Sequence, residues 1–454
     1  MSDGATLVGL IARSGAAGRH IATPDCILAL DELAATTGLG DNLPRLAGGS
    51  IILLSRGPLD AAAALIELDG VARRIVLCPP DFDPGHLGIV ARDAEATAIV
   101  HAGVARPPET PGVELIAPYG PPAGKIGAPE TPALATEWIL MTSGTTGAPK
   151  MVVHTLATLT SAIGPAPPQE WATFYDIRRY GGLQIFLRAL AGSGSLTLPG
   201  AQESTEDFLT RCGEAGVTHI SGTPSHWRRV LMSHAARGFD PRYVRLSGEI
   251  ADSAVLNALT ALYPRARVAH AYASTEAGVG FSVDDGLPGF PASWLDAPPA
   301  SVAMRVAEDS LRLRSPGAAL RYLGDNPPEL RDEDGFVDTG DLVERRAERY
   351  HFVGRSNGII NIGGAKVHPE EVEAVINMQA GVRASLVKAR RNPITGALVA
   401  ADVVVNAGVA ADDALRASII AACRQRLAPH KTPALVRFVP ALAMTAGGKL
   451  ARNG

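Results

Sequence analysis

What this 454-residue sequence lacks narrows the field before any motif is read. Only four cysteines occur, Cys26, Cys78, Cys212 and Cys423, far apart and with no CxxC or His/Cys cluster, so neither a disulfide framework nor a zinc site is expected. A reducing, cytoplasmic setting fits that usage. No basic leader follows Met1, the apolar run from Leu7 to Ala12 is short, and no stretch reaches the roughly 20 apolar residues of a membrane helix, so no membrane partner is expected. A formal net charge of -4 supplies no global basic field, which makes nucleic acid a poor partner. Two nucleotide fingerprints are also missing. No GxGxxG follows a predicted strand, and from Gly144 a Walker A loop would need glycine where Pro149 stands and Ser or Thr where Met151 stands.

What is present is an ordinary globular balance, 46% hydrophobic and 19% charged, in a length suited to two or three domains. Ile51 to Ser55 reads as a buried strand, Pro58 to Asp69 as a helix opened by proline, Arg74 to Cys78 as a strand, Phe82 to Ala94 as a helix and Thr97 to Ala102 as a strand. That alternation predicts a parallel sheet. Glu137 to Met141 is a further strand, followed after a glycine-rich loop by Val152 to Ile163, expected to be helical. Strands ending at Gly222, Ser247 and Ala271 lead into loops of the kind that bind ligands in α/β sheets. From Ser310 the texture becomes antiparallel, and from Glu371 onward a compact α+β unit is predicted. The domain boundary is placed between residues 356 and 357, giving domains 1–356 and 357–454.

The loop Met141 to Lys150, MTSGTTGAPK, brings close-approach glycines, hydroxyl donors and a compact cation together, the chemistry of a triphosphate cradle. Alone, such a loop is more often a plain turn. Four later motifs change that: AYASTEAG (Ala271 to Gly278), DTGDLVE (Asp338 to Glu344), GRSNGIINIGGAKVHPEEVE (Gly354 to Glu373) and TAGGKLARN (Thr445 to Asn453). In order and separation the set resembles the adenylate-forming superfamily, which includes acyl-CoA synthetases, aryl-CoA ligases, luciferases and peptide-synthetase adenylation domains. The likeness covers nearly the whole chain and is weakest over residues 1–130.

The resemblance implies a fold and a set of roles. The fold is α/β: a large N-terminal domain of layered α/β subdomains with a small antiparallel part, and a small mobile C-terminal α+β lid. Thr142, Ser143, Gly144, Thr145, Thr146, Gly147 and Lys150 would hold the ATP β- and γ-phosphates. Gly248, Glu249 and Tyr272 would border the nucleotide, with Tyr272 stacked on adenine. Thr275 would bond the α-phosphate, Glu276 would bind Mg²⁺, and Asp341 with Arg355 would hold the ribose. Lys449 would bridge the substrate carboxylate and the α-phosphate, Asn357 would be the hinge, and Gly363 and Gly364 would let a pantetheine arm pass. Tyr175, Arg178, Arg179, Tyr180 and Gly181 would line the acyl pocket. There an arginine would read a polar acid, unless both arginines face solvent or pair with Asp176. Two departures stand out: Ala273 replaces a usual glycine, and Asn357 replaces the usual Asp or Lys. The expected activity is ATP-dependent conversion of a small carboxylic acid to acyl-AMP and then to a thioester. With no carrier domain in the sequence, coenzyme A is the expected thiol; loading of the phosphopantetheine of a separate acyl carrier protein, or an inactive nucleotide sensor, are the alternatives.

Overall fold

Runs of aliphatic residues bounded by proline and glycine build the first layer of the computed structural model, which describes residues 6–121, 123–125, 133–142, 149–299, 301–362, 365–392 and 396–442. Strand Ser50–Ser55 buries Ile51, Ile52 and Leu53 completely and pairs in parallel with Arg74–Leu77 and with Ala98–Ala102. A strand covered on both faces is continuously apolar rather than alternating. Helix Pro58–Leu68 begins where Pro58 sits in the first turn and Asp60 accepts from the Gly57 amide at 3.3 Å. Its buried Ala61, Ala62, Ala63 and Ala64 are small enough for close packing. Leu115–Tyr119 and Glu137–Thr142 extend this seven-stranded sheet in parallel, and Lys150–Thr155 then returns antiparallel beside Glu137–Thr142.

Two helices are shorter than the sequence implied. Residues 150–155 are strand, and only Leu156–Thr160 is helical. Met151, Val152 and Val153 are buried between Glu137–Thr142 and Arg321–Leu323, a site that suits β-branched residues, and the Thr155 hydroxyl starts the helix by accepting from the Thr158 amide at 3.3 Å. Likewise Asp83 accepts from the Gly85 amide at 2.8 Å and opens a 3-10 turn, so the α-helix starts only at Leu87.

The second layer is an eight-stranded sheet in which Trp171–Thr173, His219–Gly222, Tyr243–Ser247 and Arg267–Ser274 run parallel and Gly278–Val283 closes one edge antiparallel. Its other edge comes from the N-terminal strands His20–Ala22 and Ile27–Ala29. Helices Pro58–Leu68 and Tyr180–Ala191 lie in one hydrophobic cluster with Ile51, Ile75 and Leu196, so the two sheets share a core. Each fully buried Leu, Ile or Phe there contributes about 1.5–3 kcal/mol. A third, antiparallel sheet contains Ser310–Arg314, Val337–Arg346 and Arg349–Arg355. The C-terminal unit places helices Pro369–Asn377 and Asp413–Arg426 against strands Val382–Asn392, Gly396–Val405 and Leu435–Phe438, around its own core of Val372, Ile376, Val403 and Ile419. Among the described residues no helix is long and apolar enough to cross a membrane.

Candidate active site

Three structural features meet at the edges of these sheets. The first is the mouth of the glycine-rich loop. Thr142 and Lys150 are register partners, and the Lys150 ammonium lies 5.7 Å from the centroid of the Tyr322 ring. Ser143, Gly144, Thr145, Thr146 and Gly147 lie outside the described residues.

The second is the turn Ser274 to Gly278. Here the strand read as ending at Ala271 continues to Ser274 and returns from Gly278, so Thr275 and Glu276 sit at a hairpin tip. The tip is pinned from several directions. Ser274 Oγ accepts from the Ala277 amide at 2.9 Å, the Ser315 hydroxyl donates to the Ala277 carbonyl at 3.0 Å, and the Ala319 amide donates to the Glu276 carbonyl at 2.9 Å. Gly278 has φ +77° and lies so close to Gly317 that a Cβ would stand 2.3 Å from its carbonyl oxygen. Both facts demand glycine.

His154 joins these two features. It is wholly buried on Lys150–Thr155, the strand leaving the loop; Nε2 lies 2.7 Å from the Thr275 carbonyl and Nδ1 lies 3.0 Å from the Thr158 hydroxyl. A carbonyl only accepts, so Nε2 carries the proton and donates. Burial, with a smaller contribution from the Arg331 charge, lowers the pKa to about 4 against the opposing pull of the Thr275 carbonyl, so the ring is neutral. Sequence reading overlooked this residue, because its partner is 121 positions away.

The third feature is an aromatic and ionic cluster on facing strands. Asp341 accepts from the Tyr272 hydroxyl at 2.5 Å and from Arg355 Nε at 2.8 Å, and Asp341 and Arg355 are cross-strand partners. The Thr339 hydroxyl donates to the Leu311 carbonyl at 2.6 Å while its oxygen accepts from the Asp341 amide at 3.1 Å. Burial and the neighbouring Asp341 carboxylate hold the Tyr272 phenol far above its ordinary pKa, so it stays a donor. The Tyr272 ring, expected to stack on adenine, has two stacked protein neighbours, Phe352 at 5.2 Å and 4° and Phe281 at 5.5 Å and 21°. Glu276 faces this cluster across the tip. Its charge helps raise the Arg355 pKa behind the larger effect of Asp341, and adds to the burial that pushes Tyr322 up to about 12.

Gly248, at φ +84°, is followed by Glu249, whose carboxylate accepts from the Ser225 amide at 2.9 Å in the first turn of helix Pro224–Val230. Next to them the Tyr175 hydroxyl donates to the Ser247 carbonyl at 2.5 Å. Tyr180 lies 5.7 Å from the His154 ring, and a Cβ on Gly181 would touch the Tyr175 ring at 3.7 Å. An acid-reading role for Arg178 or Arg179 is not what the structure shows. Arg178 is 4% exposed and grips Asp176 at 2.8 and 2.6 Å, with Nη1 donating to the Ser55 carbonyl at 2.5 Å; Arg179 pairs with Asp81. A buried guanidinium takes the nearest carboxylate because an unpaired one is costly. The backbone of Asn357 lies in the 3-10 turn Ser356–Gly358, whereas Gly363, Gly364 and Lys449 lie outside the described residues.

Residues 71–319 match the family "AMP-binding enzyme", and residues 371–449 match "AMP-binding enzyme C-terminal domain". The chain belongs to the AMP-binding enzyme family. A 2-succinylbenzoate–CoA ligase of Listeria monocytogenes is 28% identical over 347 residues, covering 71% of this chain and 72% of that protein. A 3-[(3aS,4S,7aS)-7a-methyl-1,5-dioxo-octahydro-1H-inden-4-yl]propanoyl:CoA ligase of Mycobacterium tuberculosis is 28% identical over 332 residues, covering 69% of this chain and 64% of that one. The fold matches that of the anthranilate CoA ligase AuaEII in complex with anthranoyl-AMP, with a TM-score of 0.83 at 19% identity over 99% of this chain and 96% of that one.

Proposed function

We propose that this enzyme activates a small carboxylic acid with ATP and transfers the acyl group to a thiol, coenzyme A by preference. One observation carries the reading: the His154–Thr275 bond, 2.7 Å long, ties the strand that leaves the glycine-rich loop to the tip bearing Thr275 and Glu276. Groups assigned to the γ-, β- and α-phosphates thus belong to one braced unit, as electrostatic catalysis of phosphoryl chemistry requires. A substrate carboxylate oxygen attacks the α-phosphorus, the bond to the bridging oxygen breaks, and pyrophosphate leaves. The thiol, losing its proton, then attacks the acyl carbon and AMP leaves.

In this reading Lys150 and the loop hold the outer phosphates and the Thr275 hydroxyl bonds the α-phosphate. Asp341, oriented by Tyr272 and Arg355, accepts from the ribose hydroxyls, while Lys449 stabilises the charge that builds as the carboxylate attacks. Among the described residues no three His, Cys, Asp or Glu gather as a metal cage. The single carboxylate of Glu276 suits Mg²⁺, which takes one or two carboxylates together with phosphate oxygens and water. The ion, when bound, would neutralise charge on the phosphates. We assign residues 1–356 to the ATP- and acyl-binding domain and 357–454 to the lid; the division falls between the two family matches, which end at 319 and begin at 371. Asn357 is the proposed pivot, and Gly363 and Gly364 are assigned to the thiol's passage by the motif alone. The CoA ligases among the relatives support coenzyme A. A medium/long-chain-fatty-acid–[acyl-carrier-protein] ligase, 34% identical over 149 residues, keeps carrier loading as the second reading. Pyrophosphate release across a panel of acids, followed by mass analysis of coenzyme A and of an acyl carrier protein, tests both; no release with any acid would sink the ligase reading.

A further inference from the structure

Strand Tyr243–Ser247 carries a charge in the middle of a parallel sheet. Arg245 is 8% exposed, and its register partners, Ser221 and Ala269, cannot neutralise it. Tyr243, two residues earlier and therefore on the same face, packs against the cluster that contains Tyr180, Leu183 and Leu187 of helix Tyr180–Ala191. On that helix Tyr180, Gln184 and Arg188 recur every fourth residue and form one stripe.

Two guanidiniums share this space without a carboxylate. Among the described residues no acidic group comes within ion-pair reach of Arg245 or Arg188, whereas Arg178, Arg211 and Arg228 each have one. Arg188 donates to the Ala162 carbonyl at 3.3 Å. Its pKa is pushed down to about 10, by burial first and by the Arg245 charge second. Burial opposes ionisation of Tyr243, yet the Arg245 and Arg188 charges help bring its pKa below the ordinary phenol value. On the same helix as Arg188, Gln184, 4% exposed, donates to the Leu159 carbonyl at 2.8 Å and, among the described residues, leaves Oε1 buried with no partner. Arg245 meets the Tyr243 phenol but, among the described residues, no carboxylate, and two cations without an acid beside an unsatisfied amide oxygen are the marks of a polar site shaped for something other than protein.

We propose that Arg245 and Arg188 form the far end of the acyl pocket and bind a second carboxylate on the substrate acid. The inference rests on the acid-activating reading above. The stripe starts beside the chemistry, since the Tyr180 ring lies 5.7 Å from His154, which holds Thr275. It runs two helical turns to Arg188, about 12 Å along the axis, so a short chain or a single ring spans the distance once the arginine side chains reach back. A planar guanidinium fork matches a carboxylate bidentately, and a hydroxyl or amino hydrogen on the same acid would satisfy Gln184.

The test uses succinate, phthalate and the monomethyl ester of each, so that one carboxylate always remains for activation. Pyrophosphate release by wild type should favour each diacid over its monoester by about 100-fold or more in kcat/KM, because desolvated arginines reject a partner that lacks the charge. Arg245→Leu and Arg188→Leu should each reduce that ratio at least tenfold, and Arg245→Lys should restore part of it. Thermal stabilisation by the diacids without ATP reads the anion site independently of catalysis and should be lost in both Leu variants. Equal rates for diacids and monoesters, with no diacid stabilisation, would overturn the inference and leave the ligase reading intact. Diacid stabilisation that depends on Arg245, with no pyrophosphate released from any acid, would uphold the anion site and overturn the ligase reading.

Discussion

The proposed nucleotide side and the proposed acyl side of the site treat charge in opposite ways. On the nucleotide side the Asp341 carboxylate is held by Tyr272 and Arg355, and Glu249 accepts from the Ser225 amide. On the acyl side Arg178 and Arg179 are consumed by Asp176 and Asp81, while among the described residues Arg245 and Arg188 face no carboxylate. Groups that serve every turnover are oriented beforehand by protein partners, which removes reorganisation from the reaction. A group proposed to select the acid is left without a protein carboxylate among the described residues, since in that proposal the substrate completes it.

The largest expected effect tests the nucleotide side. Lys449→Ala should reduce acyl-AMP formation by about 1,000-fold or more, while a supplied acyl-AMP is still converted to thioester. Equal loss of both half-reactions would remove Lys449 from its assigned role. Next in size is the contrast between two buried arginines. Arg178→Ala leaves Asp176 without its partner and should destabilise the fold by about 3 kcal/mol, measured by urea unfolding, without changing the ranking of acids. A changed ranking in that variant would move the specificity role back to residue 178 and blur the comparison.

The smallest effect concerns the brace between loop and tip. An imidazole ordinarily titrates near 6.5, and in the folded protein His154 titrates at about 4. Below pH 6.5 the unfolded chain takes up a proton that the folded protein refuses. The contribution is therefore complete above pH 6.5 and is lost as pH falls toward 4, about 3 kcal/mol at most. His154→Leu should be less stable than wild type at pH 7, and the gap should narrow between pH 6.5 and 4. Unfolding curves for both proteins at pH 7 and pH 4.5 measure this; a gap independent of pH would mean that the imidazole is not held neutral.

Much of the fold was legible because its signals are local. Ile51 to Leu53 is a continuous apolar run, Pro58 can only open a helix, and the turns carry their own glycines. Residues 152–155 were misjudged because VVHT has no period of its own, and only the flanking strands Glu137–Thr142 and Arg321–Leu323 make it a strand. The site divides the same way. Motif spacing brought Asp341, Arg355, Thr275 and Glu276 forward, whereas His154 and Arg245 stand in no motif. One signal was available: an arginine inside the apolar strand Tyr243–Ser247 breaks the pattern expected of a buried parallel strand.

By itself the sequence determined the order and type of most elements and the chemical repertoire at their ends, since propensity, turn residues and motif spacing act over a few positions. Which of its charges would be cancelled was decided only by the tertiary structure. Arg178 meets Asp176 two residues away and the Ser55 carbonyl 123 residues away, and His154 reaches Thr275 across 121. A charge is costly or useful according to what lies within a few ångströms of it after folding, and the helix Tyr180–Ala191, laid against the face of Tyr243, is what leaves Arg245 and Arg188 together with no carboxylate among the described residues.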